Sequence, residues 1–380
     1  MSKEFRYELF SQMINEFADN EVKPVAAETD EYERFPEENV KKMAELGLFG
    51  IIVPKEYGGA GGDYKMYITA VEELSKRCAT TGVILSAHES LCVAPIMEYG
   101  SEEQKNKYLP GLASGKYLGA FALTEPDAGT DAGNQKSVAV EKDDHFVLNG
   151  SKIFITNSGY ADVFVVIAVT GKTPKGPEMT AFILEKGMEG FSVGKHEKKM
   201  GIRGSSTCEL VFRDVAVPKA NMLGKRGEGF KIAMKTLDGG RIGIAAQALG
   251  IAEGALEETI NYVRERKQFG KPISAFQNTQ FRIADMATNI TAAKYLVYAA
   301  AEAKQNKSSD ISVAAAKAKL FASRTAMEVT TEAVQLHGGY GYTREYPVER
   351  MMRDAKITEI YEGTSEVQRM VISGALLKKK

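Results

Sequence analysis

The segment Val163-Phe164-Val165-Val166-Ile167-Ala168-Val169 consists almost entirely of β-branched and aromatic residues. A short apolar run of this kind predicts a buried strand. Upstream, Val138 and Val140 alternate with other residues, as half-buried strand positions do. Between them and the run, Phe146-Val147-Leu148 is strand-like and is followed by Asn149-Gly150, a pair typical of a tight turn. The centre of the chain is therefore predicted to form a sheet.

Strand-like sequence continues from Ser206 to Val217 and stops at Pro218, which cannot donate a ladder hydrogen bond. We therefore predict a β domain over about residues 119–225. Residues 1–118 have a different pattern, because their apolar residues recur at the three- and four-residue spacing of a helix. Examples are Leu9, Met13, Ile14 and Phe17, followed by Val40, Met43 and Ala44.

Residues 226–380 return to helical periodicity and are predicted to form a helical bundle. The apolar stripe consists of Ile242, Ala245, Leu249, Ala252, Leu256, Ile260 and Val263, and Ala-rich stretches follow at 292–303 and 313–327. The order of helices, strands and helices argues against a doubly wound sheet, which needs alternating β and α units. The predicted fold class is α+β, mostly α.

Composition limits the possible functions. The 49 Lys and Arg residues balance 50 Asp and Glu residues, so no net field attracts nucleic acid or an anionic membrane. The three Cys and four His residues have no ligand-like spacing, so neither a metal site nor a disulfide framework is expected. No run approaches the roughly 20 apolar residues of a membrane span, and no signal core is present. We expect a cytoplasmic protein.

Two segments combine glycines with polar residues. Leu123-Thr124-Glu125-Pro126-Asp127-Ala128-Gly129-Thr130-Asp131 opens the β region. It is either an ordinary turn or a loop that presents backbone amides to a ligand. Gln335-Leu336-His337-Gly338-Gly339 ends an Ala-rich helix. It is either a helix C-cap or a place where the backbone approaches a pyrophosphate. Composition alone leaves both choices open and favours the structural one.

The segment Tyr361-Glu362-Gly363-Thr364 joins two predicted helices. Gly363 suits the end of the first helix and Thr364 suits the N-cap of the second. Taken alone, Glu362 is most simply a solvated loop acid, as most acidic residues are.

Taken together, these segments resemble the acyl-CoA dehydrogenase family across essentially the whole chain. The matching segments are Phe121 to Pro126 with its Asp-Ala-Gly-Thr extension, Gly201 to Ser206, Arg264 to Gly270, Gln335 to Gly339, and Ile360 to Glu366. The resemblance implies an N-terminal helical domain, a middle β domain and a C-terminal four-helix bundle, assembled as a homotetramer. It also implies that FAD is the cofactor.

Residues that match the family's FAD contacts include Thr156 near the reactive edge of the flavin. Arg266, Phe269 and Gln277 would meet the diphosphate of a neighbouring subunit's FAD, and Gln335 to Gly339 would line its adenosine end. The full set of implied FAD contacts is Phe121, Leu123, Thr124, Thr130, Phe154, Ile155, Thr156, Arg266, Phe269, Gln277, Gln335, Leu336, His337, Gly338, Gly339, Thr364, Ser365 and Glu366.

The resemblance implies that Glu362 is the catalytic base. It would remove a Cα proton from an acyl-CoA while the flavin takes a hydride from Cβ, giving a trans-2-enoyl-CoA, and the reverse reaction is equally permitted. In the family, the thioester carbonyl is polarised by the backbone amide at the Glu362 position and by a ribityl hydroxyl. The implied substrate contacts are Thr130, Ser205, Asp238, Arg241, Tyr361 and Gly363.

Two residues depart from common family patterns. Phe154 stands where many relatives have a tryptophan beside the flavin, and the chain contains no Trp. Family members whose base lies on the other helix carry a Glu immediately before the arginine that corresponds to Arg241. Gly240 occupies that position here, which favours Glu362 as the sole base.

The whole chain looks most similar to the short-chain, butyryl-CoA branch of the family. However, His88-Glu89 lies in a segment that resembles the helix closing the acyl pocket, and it is unusually polar for an alkyl tail. An aryl-acrylyl-CoA (cinnamoyl- or caffeyl-type) reductase is therefore an alternative, unless both side chains point away. Electron-transfer flavoprotein is the expected redox partner. A catalytically silent binding scaffold with the same fold is an alternative of another class.

Overall fold

The architecture follows the order of sequence patterns along the chain. A computed structural model describes residues 3–174 and 176–378, with the side chains from residue 4 onward. Helices come first, a sheet follows, and helices complete the chain, so the predicted α+β fold with a helical majority is confirmed. The sheet begins at Gly119 and the first C-terminal helix begins at Gly229. The predicted domain boundaries at 118/119 and 225/226 remain a prediction.

The N-terminal region is a set of short helices interrupted by two π-helical segments, at Ala18–Val22 and His88–Val93. π-helical turns of this kind often occur at functional sites. The α-helices are α1 (Lys3–Phe17), α2 (Lys23–Glu31), α3 (Glu37–Glu45), α4 (Tyr64–Arg77), α5 (Ala79–Ala87), α6 (Ala94–Tyr99) and α7 (Glu102–Ala113).

Eight strands of the middle region form one sheet, whose main path has the order β6-β7-β3-β2-β4-β5-β8. The remaining strand, β1, pairs with β4 in parallel. These strands are β1 (Gly119–Ala122), β2 (Val138–Glu141), β3 (His145–Thr156), β4 (Val163–Thr173), β5 (Gly176–Glu185), β6 (Phe191–His196), β7 (Thr207–Pro218) and β8 (Met222–Leu223).

Strand β4 shows why its sequence is apolar throughout. Val163, Val165 and Ile167 pack against helical residues such as Leu109 and Ile232. The alternate residues Phe164, Val166 and Ala168 belong to a second core, formed with β3, β5 and β7. A strand buried on both faces needs apolar residues at every position rather than alternation. One face of the strand therefore packs against helices, and the other face contributes to the core of the β domain.

The prediction of a turn at Asn149-Gly150 is wrong, because strand β3 includes both residues. The pairing of β3 with β7 shifts register between Leu148 and Gly150, so the irregularity is a bulge. Asn149 bonds across to Asp214 through both its amide and carbonyl groups, at 2.9 and 2.8 Å. Gly150 has φ +140°, and a side chain there would collide with Ser137. Pairing with a distant strand has overridden a local turn signal.

The C-terminal region is a bundle of long helices preceded by a small hairpin between its first two members. The helices are α8 (Gly229–Glu265), α9 (Gln277–Gln305), α10 (Ile311–His337), α11 (Val348–Ile357) and α12 (Ser365–Leu377), and the hairpin strands are β9 (Lys267–Gln268) and β10 (Lys271–Pro272). Short 3₁₀ turns lie at Leu48–Gly50, Lys55–Tyr57, Lys219–Asn221, Ile273–Ala275 and Gly338–Tyr342.

Helix α8 joins the N-terminal helices to the bundle within one hydrophobic core. Ile68 and Leu74 of α4, Leu249 of α8, and Ala318 of α10 all belong to this core. Glycines on α8 allow the close approach of α4, since a Cβ at Gly250 would overlap Glu72 and one at Gly254 would overlap Lys76. These contacts set the position of α8 and of the residues that it presents to the interior.

Within residues 3–174 and 176–378, no helix combines the length and the apolar character that crossing a bilayer requires.

We predict that Gly254→Ala destabilises the protein by about 1–3 kcal/mol, because the added methyl group overpacks a full interface. Backbone atoms of Lys76 lie 3.0 and 3.1 Å from the position of the new Cβ, and backbone cannot move aside cheaply. Denaturant unfolding measures the change. Gly374→Ala is the control, because no atom lies within 4 Å of its Cβ position and alanine favours a helix. Equal stability changes in the two variants would contradict the tight α4–α8 contact.

Candidate active site

Glu362 lies in the turn between α11 and α12, in a backbone conformation that few residues adopt. Its φ is +53°, and that of Gly363 is +96°. Thr364 caps α12 as predicted, because its side chain accepts a hydrogen bond from the amide of Val367. The prediction that Gly363 ends the preceding helix is wrong, because α11 already ends at Ile357. A non-glycine residue with positive φ costs free energy unless its surroundings fix it, and such residues cluster at functional sites. The turn therefore directs the Glu362 side chain rather than leaving it in solvent.

The Glu362 carboxylate points at Gly240 on α8. A Cβ at Gly240 would fall well inside van der Waals contact of Glu362 Oε2 and 2.8 Å from Leu91 Cδ2. The residue as a whole is partly exposed, but Oε2 itself is enclosed and has no hydrogen-bond partner. A buried polar atom without a partner is costly and calls for an explanation. The absence of a side chain at Gly240 is what gives the carboxylate its place.

Two cations face this carboxylate. Burial raises the pKa of Glu362 to about 7, and the positive charges of Lys319 and Arg241 oppose that rise. Arg241 is buried and pairs with Asp238 at 2.9 Å, and Ser312 donates to the other oxygen of Asp238 at 2.5 Å. Burial lowers the pKa of Arg241, against the opposing effects of Asp238 and Glu362. The carboxyl group is thus poised to exchange a proton near neutral pH.

Lys319 is the residue at this site that sequence reasoning missed. It lies on the buried face of α10, and its Nζ donates to the carbonyl oxygen of Tyr361 at 2.6 Å and to that of Gly363. Tyr361 also donates its hydroxyl to the side chain of Gln247 on α8. A signal was present, because Lys319 falls on the helical stripe of buried alanines at 315, 318, 322 and 326.

A second buried network shapes the loop that begins at Leu123. Lys152 is fully buried on β3, and its Nζ donates to Leu123 O at 3.0 Å, Glu125 Oε1 at 2.7 Å and Gln135 Oε1 at 2.6 Å. The Ile153 amide donates to Thr124 O at 2.9 Å. Burial lowers the pKa of Lys152 to about 8, although Glu125 favours its charge. The loop is therefore clamped to β3, and sequence reasoning missed this clamp as well.

The residues predicted beside the flavin differ in how they are placed. Phe154 is 59 % exposed with φ +59°, and Thr156 is partly exposed two residues later. The side chain of Phe121 is buried in the core between β4 and the helices, and that of Ile155 is buried in the core of the β domain. Only the backbones of these two residues are therefore left to contact a ligand. Thr130 is exposed in the loop after β1.

A groove of about 530 Å³ contains several of the residues predicted to contact the diphosphate and adenosine of FAD. It is lined by Tyr262, Arg266, Gln268, Ile273, Gln335, Leu336, His337, Gly338, Gly339, Tyr340 and Thr343. His337 Nδ1 lies 2.7 Å from Ala333 O and so carries a proton, which leaves the buried Nε2 as an acceptor without a partner. Burial lowers the pKa of His337, which keeps the ring neutral. Gly338 and Gly339 leave the groove wall open.

Phe269 and Gln277 stand apart from that groove. Phe269 forms the tip of the β9–β10 hairpin and is 93 % exposed with φ +52°, followed by Gly270 at φ +77°. Gln277 is exposed at the start of α9. An apolar ring so exposed at a hairpin tip suits a contact with another molecule.

Three more predicted residues lie at or near chain turns. Ser365 is the first residue of α12 and donates its amide to Glu359 O at 3.0 Å, whereas Glu366 is exposed and pairs with Arg369. Ser205 is fully buried, and its Oγ has no partner. Its predicted contact with CoA therefore needs a local movement.

The pair His88-Glu89 is buried in the π-helical segment. Gly119 donates its amide to His88 Nδ1 at 3.0 Å, so the ring is protonated at Nε2, which donates to Phe49 O at 3.1 Å. Both nitrogens are satisfied, and burial lowers the pKa of His88 to about 4. Glu89 Oε1 accepts from the Ile51 amide at 2.7 Å, whereas Oε2 is buried without a partner.

Comparison with known proteins shows the family to which the chain belongs. Three family models match successive parts of the chain: acyl-CoA dehydrogenase N-terminal domain at residues 6–116, middle domain at 120–215 and C-terminal domain at 227–377. The short-chain-specific acyl-CoA dehydrogenase of Clostridium acetobutylicum is 64 % identical over 371 residues, covering 98 % of each chain. The chain belongs to the acyl-CoA dehydrogenase family. It is an oxidoreductase of the class that acts on CH–CH groups.

Other relatives widen the range of reactions seen at this level of similarity. The 3-(aryl)acrylate reductase of Clostridium sporogenes is 46 % identical and covers 98 % of this chain and 99 % of its own. The structure of butyryl-CoA dehydrogenase from Megasphaera elsdenii matches with a TM-score of 0.95 at 53 % identity, covering 98 % of both chains.

A further structure matches with a TM-score of 0.95 at 56 % identity, covering 100 % of this chain and 99 % of the other. It is described as electron transferring flavoprotein of Acidaminococcus fermentans, towards a mechanism of flavin-based electron bifurcation.

The acyl-CoA dehydrogenase family is FAD-dependent, and the residues present here fit such a group. The buried acceptor on His337 needs a donor such as a ribose hydroxyl or an adenine amino group. The guanidinium of Arg266 on the same groove suits a diphosphate. In the β domain, the clamped loop at Leu123–Thr124 lies against the strand that carries Phe154 and Thr156.

We predict that Gly240→Ala greatly reduces turnover, because its methyl group occupies the place of Glu362 Oε2 and forces the carboxylate away. Displacing a reacting group by about 1 Å costs on the order of 100-fold in rate. Steady-state turnover with butyryl-CoA measures the loss. Gly239→Ala is the matched control on the same helix, since its Cβ meets only Lys304 Cε at 3.8 Å. Wild-type turnover in Gly240→Ala would show that the carboxylate does not act from this position.

Proposed function

We propose that this chain catalyses the FAD-dependent α,β-dehydrogenation of a short-chain acyl-CoA to a trans-2-enoyl-CoA, or the reverse reduction, with Glu362 as the base. The observation that carries the proposal is the enclosed, unpartnered Oε2 of Glu362, which lies against Gly240. The 64 % identity to a short-chain-specific relative supports the substrate class. The same relatives make a catalytically silent scaffold the weaker alternative.

Glu362 would take the Cα proton of the thioester. Thioester α-protons are weakly acidic, so the base must be strong and the carbonyl must be polarised. Burial supplies the basicity, because a pKa near 7 makes Glu362 a stronger base than an exposed carboxylate. Following the family pattern, the Glu362 backbone amide would donate to the carbonyl oxygen.

FAD, when bound, supplies the hydride acceptor for Cβ in this scheme. Leu123, Thr124, Phe154 and Thr156 would hold its ring, with Phe121 and Ile155 contributing backbone. The remaining contacts carried over from the family are Thr130, Thr364, Ser365 and Glu366. Arg266, Phe269, Gln277 and residues Gln335 to Gly339 would hold the diphosphate and adenosine of a neighbouring subunit's cofactor.

Substrate contacts follow from the same site. Asp238 and Arg241 would form the wall near the base, and Tyr361 and Gly363 flank it in the turn. Thr130 would contact the substrate near the FAD pyrophosphate, and Ser205 would contact the CoA portion or form part of the pocket wall.

The proposed assembly is a cytoplasmic homotetramer that exchanges electrons with electron-transfer flavoprotein. Support for the subunit contact comes from Phe269, whose 93 % exposure on a hairpin tip leaves an apolar ring uncovered within one chain. Support for the redox partner comes from the relative whose structure is described with electron transferring flavoprotein.

We predict that Glu362→Gln retains bound FAD but loses turnover, because the amide keeps the side-chain shape and cannot accept the proton. The measurement is anaerobic bleaching of flavin absorbance on adding butyryl-CoA. In the wild type, the bleaching rate should rise with pH through about 7, since the base works only when deprotonated and its pKa is about 7.

Each component of the proposal has its own contrary result. Bleaching of Glu362→Gln at the wild-type rate would exclude Glu362 as the base. A purified wild-type protein without flavin absorbance would support the scaffold alternative. Rapid peroxide release under air would indicate an oxidase instead of a dehydrogenase that uses electron-transfer flavoprotein.

A second candidate function is the reduction of an aryl-acrylyl-CoA. It is favoured by Glu89, because burial raises the pKa of this group well above its usual range and so favours the protonated form. A protonated carboxyl would have its unpartnered oxygen available as a hydrogen-bond donor. Such a donor suits a hydroxylated acyl tail more than an alkyl one. His88 does not contribute to this argument, because both of its nitrogens bond to the backbone. The 46 % identical aryl-acrylate reductase adds support.

We predict that Glu89→Ala alters the preference between crotonyl-CoA and a hydroxycinnamoyl-CoA if Glu89 faces the acyl tail, lowering kcat/KM for the hydroxylated substrate by about 10-fold or more. Competition between the two substrates measures that ratio. Glu89→Gln, which keeps a donor, is the matched control. An unchanged ratio in Glu89→Ala would remove Glu89 from substrate selection and leave the short-chain assignment alone.

A further inference from the structure

Lys319 is an unusual residue for the interior of a helical bundle. It is almost completely buried on α10 among alanines, although a lysine rarely occupies such a position without a partner. Its Nζ bonds to two backbone carbonyls, those of Tyr361 and Gly363. These are the carbonyls on either side of Glu362. One side chain from a rigid helix thus holds both ends of the residue proposed as the base.

We propose that Lys319 is a positioning residue for Glu362, holding the turn in the one backbone conformation that aims the carboxylate at Gly240. The inference rests on the proposed function, since it assigns a role toward the proposed base. The bonding pattern supports it directly. Both carbonyls accept hydrogen bonds from the same nitrogen atom, so neither peptide group can rotate without breaking its bond to Lys319.

The backbone of the turn needs such a constraint. Glu362 has φ +53° and Gly363 has φ +96°. A non-glycine residue in this region costs on the order of 1–3 kcal/mol and relaxes unless neighbouring structure fixes it. Other bonds to the turn help, since Gln368 Nε2 donates to Gly363 O at 2.8 Å and Tyr361 bonds to Gln247. Lys319 alone bridges both sides of Glu362 among the hydrogen bonds that the structure shows in the described chain.

Besides its hydrogen bonds to the turn, Lys319 acts on Glu362 through its charge. Two cations act on the charge of Glu362: Lys319, which lies on α10, and Arg241, which lies on α8 and pairs with Asp238. The negative charge of Glu362 also raises the pKa values of Tyr67 on α4 and of Tyr361. Glu359 acts on Lys319 from the end of α11. Lys319 and Glu362 each favour the charged form of the other, so they titrate as a pair.

Lys319 has enough N–H groups to bond to both carbonyls in either protonation state. Burial lowers the pKa of Lys319 to about 7, with Glu362 opposing and Arg241 adding to the effect. A neutral amine has two N–H groups, and the ammonium has three. Deprotonation of Lys319 therefore leaves both hydrogen bonds, to Tyr361 O and Gly363 O, possible. It removes the positive charge beside Glu362.

The test compares Lys319→Met with the wild type as FAD-loaded enzymes. Methionine fills similar volume and removes both the donors and the charge. We expect the anaerobic bleaching rate to fall by about 100-fold, the cost of a misplaced reacting group. The acidic limb of the pH profile should move to higher pH, because Glu362 loses one of its two nearby cations, keeps only Arg241, and therefore holds its proton more tightly. Hydrogen exchange at residues 358–366 should quicken.

Two further variants separate position from charge and from stability. Lys319→Gln keeps two N–H donors without a charge, so it should recover part of the rate and the slow exchange while retaining the shifted acidic limb. Lys317→Met is the matched control, because Lys317 is exposed two residues away on the same helix and should behave as the wild type. If Lys319→Met fails to fold, Lys319→Gln still tests both parts.

A wild-type acidic limb together with wild-type exchange at residues 358–366 in either Lys319 variant would overturn the proposal. Retained bleaching in Glu362→Gln is a different result, because it removes Glu362 as the base whatever Lys319 does. A rate loss in Lys319→Met without any change in pH profile or turn exchange would reduce Lys319 to general packing and would also contradict the positioning role.

Discussion

The enclosure of one carboxylate is the constraint on which the rest of the structure depends. Glu362 Oε2 lies against Gly240, without a hydrogen-bond partner, in a turn with left-handed backbone. Removing an ionised carboxylate from water is costly, so the group responds with a raised pKa. Two nearby cations keep that rise moderate and leave the group near neutrality. A base of useful strength is the product of these opposing effects, and each effect requires a rigid position.

Rigidity at the site comes from elements that are far apart in sequence. Helix α8 brings Gly240 and Arg241, α10 brings Lys319, and the α11–α12 turn brings Glu362 itself. The β domain repeats the strategy, since buried Lys152 fixes the loop at Leu123 from the adjacent strand. In both places a buried lysine bonds to loop carbonyls. Sites held by side chains from packed elements keep their geometry better than sites built from loops alone.

Much of the fold could be predicted from hydrophobic periodicity, because strand β4 and the long helices have strong and different repeats. The turn expected at Asn149-Gly150 shows the limit, since pairing with β7 determined the backbone there. Glu362 could be singled out only from the resemblance of its whole segment to the family, as a lone loop acid carries little information. The contact between Glu362 and Gly240 and the grip of Lys319 could not be predicted, because they depend on how three distant helices pack. Lys319 could have been noticed in the sequence, because it is a charged residue within the apolar stripe of α10.

The central claim is that burial makes Glu362 a neutral-range acid before any substrate arrives. Infrared difference spectroscopy of the protein without substrate measures this directly, as the pH-dependent carboxyl band that is present in the wild type and absent from Glu362→Gln. Our account predicts that this band titrates with a midpoint of about 7. A midpoint near the ordinary glutamate value of about 4.3 would contradict it, because the carboxylate would then be solvated rather than enclosed.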